Sequence, residues 1–207
     1  MSYENDYFEH KFSQLDPWDY ETSRYERAKY QRQLVLAQKF CATPRRVLEI
    51  GCAEGVFTAL LEKTYPIAKI IAIDISASAI TRAKSKTKTV TYRHGDILKK
   101  SDLLKGQYDL IFLSEVVYYL GARVPLPEFA DIIKRLRSSL TKNGLLVLSN
   151  NIDVTEFNPT YIVEKPVVEG YLATMGGYLQ KRWSRKYSAN KRETGQQLSY
   201  QISVFSR

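Results

Sequence analysis

The sequence predicts an α/β domain in which a mostly parallel sheet is covered by helices on both faces and closed by an antiparallel hairpin. Three observations carry this expectation. From residue 45 onward, short β-rich runs alternate with amphipathic stretches, the pattern of strand–helix–strand units. The run Tyr108-Asp-Leu-Ile-Phe-Leu-Ser114 is strongly apolar, as a strand buried on both faces is. Near the C-terminus two β-rich runs are separated by the polar loop Ser188 to Gln197, which suits a hairpin on the sheet edge.

The elements follow in order. Ser23-Arg-Tyr-Glu26 is a capping-box pattern, so a helix starts there, with Tyr30, Leu34, Ala37 and Cys41 on its buried face. Val47–Ile50 is the first strand, and Gly55–Lys63 is a helix with Phe57, Leu60 and Leu61 inward. Lys69–Asp74 is the second strand, and Ser76 caps a helix running to about Ser85. Val90–Arg93 and Tyr108–Ser114 are the third and fourth strands. A helix follows over Leu126–Leu140, where Phe129, Ile132, Ile133, Leu136 and Leu140 keep helical spacing. The turn Lys142-Asn-Gly144 should end it and lead into a fifth strand, Leu145–Leu148. A last helix, Ile162 to about Gly176, contains Pro166 and should break at Gly176-Gly177. The closing strands are Tyr178–Tyr187 and Leu198–Ser206, and alternation of Tyr200, Ile202 and Val204 with polar residues suits a partly exposed strand.

The chain of 207 residues suits a single domain, 1–207, with an aromatic N-terminal extension (1–44) on a core (45–207). No apolar run approaches the ~20 residues of a membrane span, and the acidic, polar start does not read as a secretory signal, so a cytoplasmic location is expected. Two cysteines and two histidines make neither a disulfide framework nor a metal centre, so no metal is expected. The net charge is +9, with residues 1–30 at −3 and basic clusters at Arg82–Lys88 and Lys181–Lys186. Such clusters suit nucleic acid or another anionic partner, or simply solvated faces.

The informative segment is Leu48-Glu-Ile-Gly-Cys-Ala-Glu-Gly55, the turn from the first strand into its helix. In an open α/β sheet, ligands bind beyond the carboxyl ends of the strands, where strand order reverses. Asp74 ends the next strand and could accept hydrogen bonds from ribose hydroxyls, and Asp96 at the end of the third could reach an adenine amino group. Three such positions at neighbouring strand ends make a nucleoside pocket. A dinucleotide fingerprint fails because Ala53 and Val56 occupy its second and third glycine positions, and no P-loop is present. Glu49, two residues before Gly51, favours a cationic ligand over a pyrophosphate.

This turn resembles the first motif of class I S-adenosylmethionine-dependent methyltransferases, usually acidic-x-Gly-x-Gly-x-Gly, with Ala53 in place of the middle glycine. Asp74, Gly95-Asp96 and Tyr108–Glu115 match the later motifs in order and spacing. More specifically, Asp16–Tyr30 and Leu113-Ser-Glu-Val-Val-Tyr-Tyr-Leu120 resemble the nodulation protein S family, which N-methylates the de-N-acetylated glucosamine of a chitooligosaccharide. The resemblance covers roughly residues 8–150. It implies a Rossmann-like methyltransferase fold of seven strands and S-adenosylmethionine as cofactor, with S-adenosylhomocysteine as product.

Carried over by position, Glu49, Gly51, Ala53 and Gly55 would surround the methionine part, with Asp74 on the ribose. Asp96 and the backbone of Ile97 would hold the adenine, Trp18, Tyr20 and Tyr25 would lie over the pocket as part of a lid, and Cys52, Ile75 and Ser114 would also bind the cofactor. Aromatic faces attract a sulfonium, and the same rings would equally pack the extension onto the core. Methyl transfer depends on holding an aligned nucleophile, and an amine must first be neutral. Glu115 is the candidate to orient the amine or take its proton, with Tyr118 beside it and His10 a second possible base. Asn158-Pro-Thr-Tyr161 is similar to an amino-group recognition motif of some methyltransferases, but it stands after the fifth strand rather than the fourth and reads as a turn. The expected partner is a small-molecule acceptor, an amino sugar above all. The alternatives are an RNA methyltransferase and a cofactor-binding module without transferase activity.

Overall fold

The computed structural model describes residues 3–121, 123–152, 165–191 and 195–207. Two helices, α1 (Tyr3–Lys11) and α2 (Arg24–Phe40), precede the alternating core of β1 (Arg46–Ile50), α3 (Val56–Thr64), β2 (Lys69–Asp74), α4 (Ala77–Lys84), β3 (Thr91–His94) and β4 (Tyr108–Ser114). Then come α5 (Val117–Gly121), α6 (Leu126–Ser139), β5 (Leu140–Asn151), α7 (Lys165–Tyr178), β6 (Gln180–Lys191) and β7 (Gln196–Ser206). One seven-stranded sheet has the order β3-β2-β1-β4-β5-β7-β6, with β1 to β5 parallel and β7 antiparallel to both its neighbours. Strand order reverses at β1, so a crevice opens beyond the carboxyl ends of β1 and β4. Among the described residues, no helix is long and apolar enough to cross a membrane.

The caps form where the side chains dictate. Ser23 accepts from Glu26 N at the start of α2, and Ser76 accepts from Ala79 N at the start of α4. Tyr30, Leu34 and Ala37 of α2 pack on one face of the sheet with Val47, Phe112 and Val204, while α6 packs Phe129, Ile133 and Leu136 on the other.

Four expectations are corrected. Lys142–Gly144 is not the turn between helix and fifth strand: α6 ends at Ser139, β5 already begins at Leu140, and the pairing with β4 jumps from Tyr108↔Leu140 to Leu110↔Leu145, so the extra residues bulge from a continuous strand. Gly176-Gly177 does not break the chain, because α7 runs through both to Tyr178. The last hairpin pairs as far as Lys191↔Gln196, so Ser188–Lys191 and Gln196–Gln197, expected in the loop, belong to the strands. β7 is an interior strand with Tyr200, Ile202 and Val204 fully buried, because β6 takes the edge; its alternation marks the face under α2. The basic residues Lys181, Arg182, Arg185 and Lys186 are exposed on that edge strand, away from the crevice. Arg82, in the other basic cluster, pairs with buried Glu54 and donates to Phe12 O, tying the N-terminal segment to α4 instead of facing solvent. Asn158-Pro159 lies outside the described residues.

Gly121 ends α5 against the ring of Tyr171 from α7, whose hydroxyl donates to Gly121 O. A β-carbon at residue 121 would fall 2.1 Å from a ring carbon of Tyr171. Gly121→Ala is therefore expected to cost about 1–3 kcal/mol of overpacking, read as a lowered denaturant midpoint. An unchanged midpoint would show that the ring moves aside freely.

Candidate active site

The crevice holds one main cleft with about 710 Å³ of atom-free space, counting the part open to solvent, and a smaller side pocket. Gly51, Ala53, Tyr20, Ser114 and Glu115 line both, so the two form one continuous site. Asp74, Ile75, Gly95, Asp96 and Ile97 mark the nucleoside end, and Glu49 and Cys52 line the side pocket.

The β1–α3 turn is packed closely against its neighbours. Gly51 and Gly55 have positive φ, and a β-carbon on Gly55 would stand 2.9 Å from the backbone of Ala83. Ala53 holds φ +46°, a left-handed conformation that costs a non-glycine residue about 1–2 kcal/mol. The turn is fixed there because Ala53 N donates to Asp74 Oδ2 at 2.8 Å. Asp74 Oδ1 accepts from Ser76 N at 2.9 Å, so one buried carboxylate binds both loops and retains acceptor capacity toward the cleft. Burial pushes its pKa up to about 6, against the backbone hydrogen bonds that favour ionisation.

Glu49 is buried, and its Oε2 has no hydrogen-bond partner among the described residues. Burial drives its pKa up to about 8; Thr58 beside it works the other way and Asp74 adds to the rise. A buried carboxylate with an unpartnered oxygen facing a pocket fits a cationic group that would ionise it.

The reacting end centres on Glu115, held at φ +56°, where strain at a non-glycine residue marks an over-determined position. Glu115 Oε1 accepts from Lys29 Nζ at 3.0 Å and Oε2 from Asn151 N at 3.0 Å. Lys29 is 3% exposed and also pairs with Glu26 at 2.7 Å. Burial lowers the proton affinity of Lys29, but Glu115 and Glu26 outweigh it and hold the pKa well above the ordinary lysine value. The Glu26–Lys29–Glu115 cluster thus sets two carboxyl groups against one ammonium at the mouth of β4. The sequence points to Glu115 but not to Lys29, which carries no motif of its own. The Glu26–Lys29 spacing of three residues was the available signal.

The aromatic residues divide. Trp18 and Tyr20 line the cleft as expected, stacked at 5.8 Å, and Phe8, Phe12 and Tyr119 join them. Tyr25 does not: it turns into the layer between α2 and the sheet, edge-on to Tyr200 at 5.5 Å, because its side of α2 faces the core. Tyr118 is buried beside Val168, and Tyr119 rather than Tyr118 reaches the cleft surface. Burial first, then Tyr119 and Glu115 beside it, raise the Tyr118 pKa well above that of a free phenol, so it acts as a neutral hydroxyl. His10 is exposed on α1 and does not line the cleft. Asp96, expected to hold the adenine with the backbone of Ile97, is paired with Arg123.

A family model described as Nodulation protein S (NodS) matches residues 2–154. The chain belongs to the nodulation protein S family. It is 30% identical over 141 residues to Nodulation protein S of Bradyrhizobium diazoefficiens, covering 67% of this chain and 64% of that protein. It is 30% identical over 114 residues to trans-aconitate 2-methyltransferase of Methylobacterium nodulans, covering 55% of this chain and 41% of that one. The chain thus spans less than two thirds of the length of either relative. The crystal structure of N-methyltransferase NodS from Bradyrhizobium japonicum in complex with S-adenosylhomocysteine superposes with a TM-score of 0.76 at 21% identity, over 97% of this chain and 96% of that one. At that identity the likeness shows the fold, which is the Rossmann-like methyltransferase fold expected for a nodulation protein S relative.

Proposed function

We propose that this nodulation protein S family member is an S-adenosylmethionine-dependent methyltransferase acting on a small amine acceptor, an amino sugar such as de-N-acetylated glucosamine. The observation that carries the reading is the donor set of the continuous cleft. Asp74 and Asp96 present carboxylates to a nucleoside, and Glu49 offers an orphaned oxygen to the positive charge of an amino-acid tail. The residues fit the cofactor, which supplies an activated methyl on a cationic sulfur when bound.

The chain's own residues do the rest. Asp74 would hold the ribose hydroxyls and Glu49 the methionine ammonium, while Asp96 and the backbone of Ile97 would hold the adenine. Phe8, Phe12, Trp18 and Tyr20 line the cleft and would exclude water and offer aromatic surface to the sulfonium. Glu115, fixed by Lys29 and Asn151, would orient an ammonium acceptor through its remaining lone pairs and receive its proton. Two carboxyl groups to one ammonium in this cluster favour an amine over an anionic acceptor. Incubation with S-adenosylmethionine and a partly de-N-acetylated chitooligosaccharide is expected to add 14 Da to the glycan by mass spectrometry, the mass of one CH₂ (~14 Da). Transfer to RNA but not to the glycan would favour the rival reading.

Glu49 makes the binding pH-dependent in a defined direction. Its folded pKa of about 8 lies above the usual carboxylate value, so its contribution to stability is full below about pH 4.5 and is lost as pH rises through 8. A cationic ligand reverses the preference by favouring the ionised form, so affinity for S-adenosylhomocysteine should rise between pH 6 and 8 in the wild type. Glu49→Gln should abolish that rise, weaken binding, and raise the melting temperature relative to wild type more at pH 8 than at pH 5. Parallel pH slopes in the two proteins would remove Glu49 from the ligand site.

A further inference from the structure

Arg123 is a buried cation at the nucleoside end of the cleft to which the reaction described above gives no role. Its Nη2 lies 2.5 Å from Asp96 Oδ2 and its Nη1 lies 3.4 Å from Oδ1, and the two side chains are 7% and 5% exposed. Both line the main cleft, beside Gly95, Ile97 and Leu120. The guanidinium is brought there by the short segment between α5 and α6. Arg123 N donates to Leu120 O, and the hydroxyl of Tyr171 on α7 donates to Gly121 O and Val124 O on either side. The arginine is thus a built part of the wall.

We infer that Arg123 makes the base subsite selective for a 6-amino purine by keeping Asp96 a pure hydrogen-bond acceptor in a fixed orientation. The inference rests on the cofactor reading above. Asp96 Oδ1 already accepts from Leu98 N at 2.9 Å and faces Arg123 Nη1, and Oδ2 takes Nη2, which leaves a lone pair on Oδ2 for a ligand. A carboxylate paired with a guanidinium accepts hydrogen bonds and donates none. The exocyclic amino group of adenine is a donor and completes the set. A 6-keto purine puts an acceptor at that place and is repelled. Without the guanidinium, of these contacts only the Leu98 N hydrogen bond is left to hold the carboxylate, and Oδ2 is no longer fixed toward the base. Removing Arg123 therefore frees the carboxylate to turn away from a keto oxygen. Arg123 acts through Asp96 and is a positioning residue.

The test is calorimetric titration with S-adenosylhomocysteine and S-inosylhomocysteine, which differ at the 6-position, amino against keto, with the neighbouring N1 turned from acceptor to donor. Wild type should prefer the adenosyl ligand by about 100-fold, the scale on which a site built for a donor rejects an analogue lacking it. Arg123→Met should reduce that preference below about fivefold, with the adenosyl ligand weakened and the inosyl ligand unchanged or tighter. Arg123→Lys, which restores the charge, should recover most of the preference. If Arg123→Met fails to fold, the Asp96→Asn/Arg123→Met pair leaves no buried charge, and its amide should bind both ligands within about fivefold of each other. A wild-type ratio in Arg123→Met, or affinity for both ligands falling together, would overturn the inference and leave Arg123 a structural residue. Equal binding of both ligands by wild type would overturn it while sparing the cofactor reading. No binding of either by wild type would strike the cofactor reading and this inference with it.

Discussion

Replacement of Asp74 by alanine is expected to weaken S-adenosylhomocysteine binding by about 30- to 800-fold. Two charge-assisted hydrogen bonds to ribose hydroxyls are worth roughly 2–4 kcal/mol together, at about 1.4 kcal/mol per factor of ten. The same change frees Ala53 N and Ser76 N, so the β1–α3 and β2–α4 turns lose their common anchor. Asp74→Asn keeps one acceptor oxygen and should fall between wild type and Asp74→Ala. Because burial raises the Asp74 pKa to about 6, wild-type affinity should also decline as the pH falls below 6, where the carboxylate becomes protonated. Calorimetric titration reads both effects. A dissociation constant for Asp74→Ala within about threefold of wild type, under 1 kcal/mol, would remove Asp74 from the site.

Glu115→Gln is expected to leave cofactor affinity within about threefold and to slow turnover of an amine acceptor by on the order of 100-fold or more, the scale of a positioned proton acceptor. The amide cannot take a proton, so the acceptor must lose its own to solvent. Raising the pH increases the neutral amine fraction and should partly restore the variant's rate, more than it raises that of wild type. Lys29 keeps Glu26 as a partner in the variant, so its buried charge stays compensated and the fold should persist. A pH–rate series on both proteins is the measurement. Unchanged kinetics, or a loss that pH does not relieve, would take Glu115 out of the proton's path.

Much of the frame was legible because apolar period and caps act locally. β2 and β4 fall where their β-rich runs do, and Ser23 and Ser76 cap the helices that their side chains announce. The misreadings share a cause: an element's end is decided by its neighbours. Lys142-Asn-Gly144 has turn chemistry, yet β5 pairs with β4 on both sides of it, at Leu140 and again from Leu145, so the turn residues form a bulge within one strand. Gly176 and Gly177 stay helical with nothing packed within 4 Å of where a β-carbon would be, so only their propensity opposed the helix.

The site divides in the same way. Glu49, Gly51, Asp74 and Asp96 were readable because each sits at a strand end, and a strand end is a place in the fold. Lys29 and Arg123 were not, because each acquires its place through a carboxylate 86 and 27 residues away in sequence. α1 escaped notice for a related reason. Its sequence is polar and nearly without an apolar face, and it is held through Glu9, whose carboxylate accepts from Ala77 N and Ser78 N at the start of α4.

The central claim is that the cleft beyond β1 and β4 binds the methyl donor, and titration of the wild-type protein with S-adenosylhomocysteine tests it most directly. The account predicts saturable binding at one site per chain, tighter at pH 8 than at pH 6. Absence of saturable binding, or binding unaffected by Asp74→Ala and Glu49→Gln together, would contradict it.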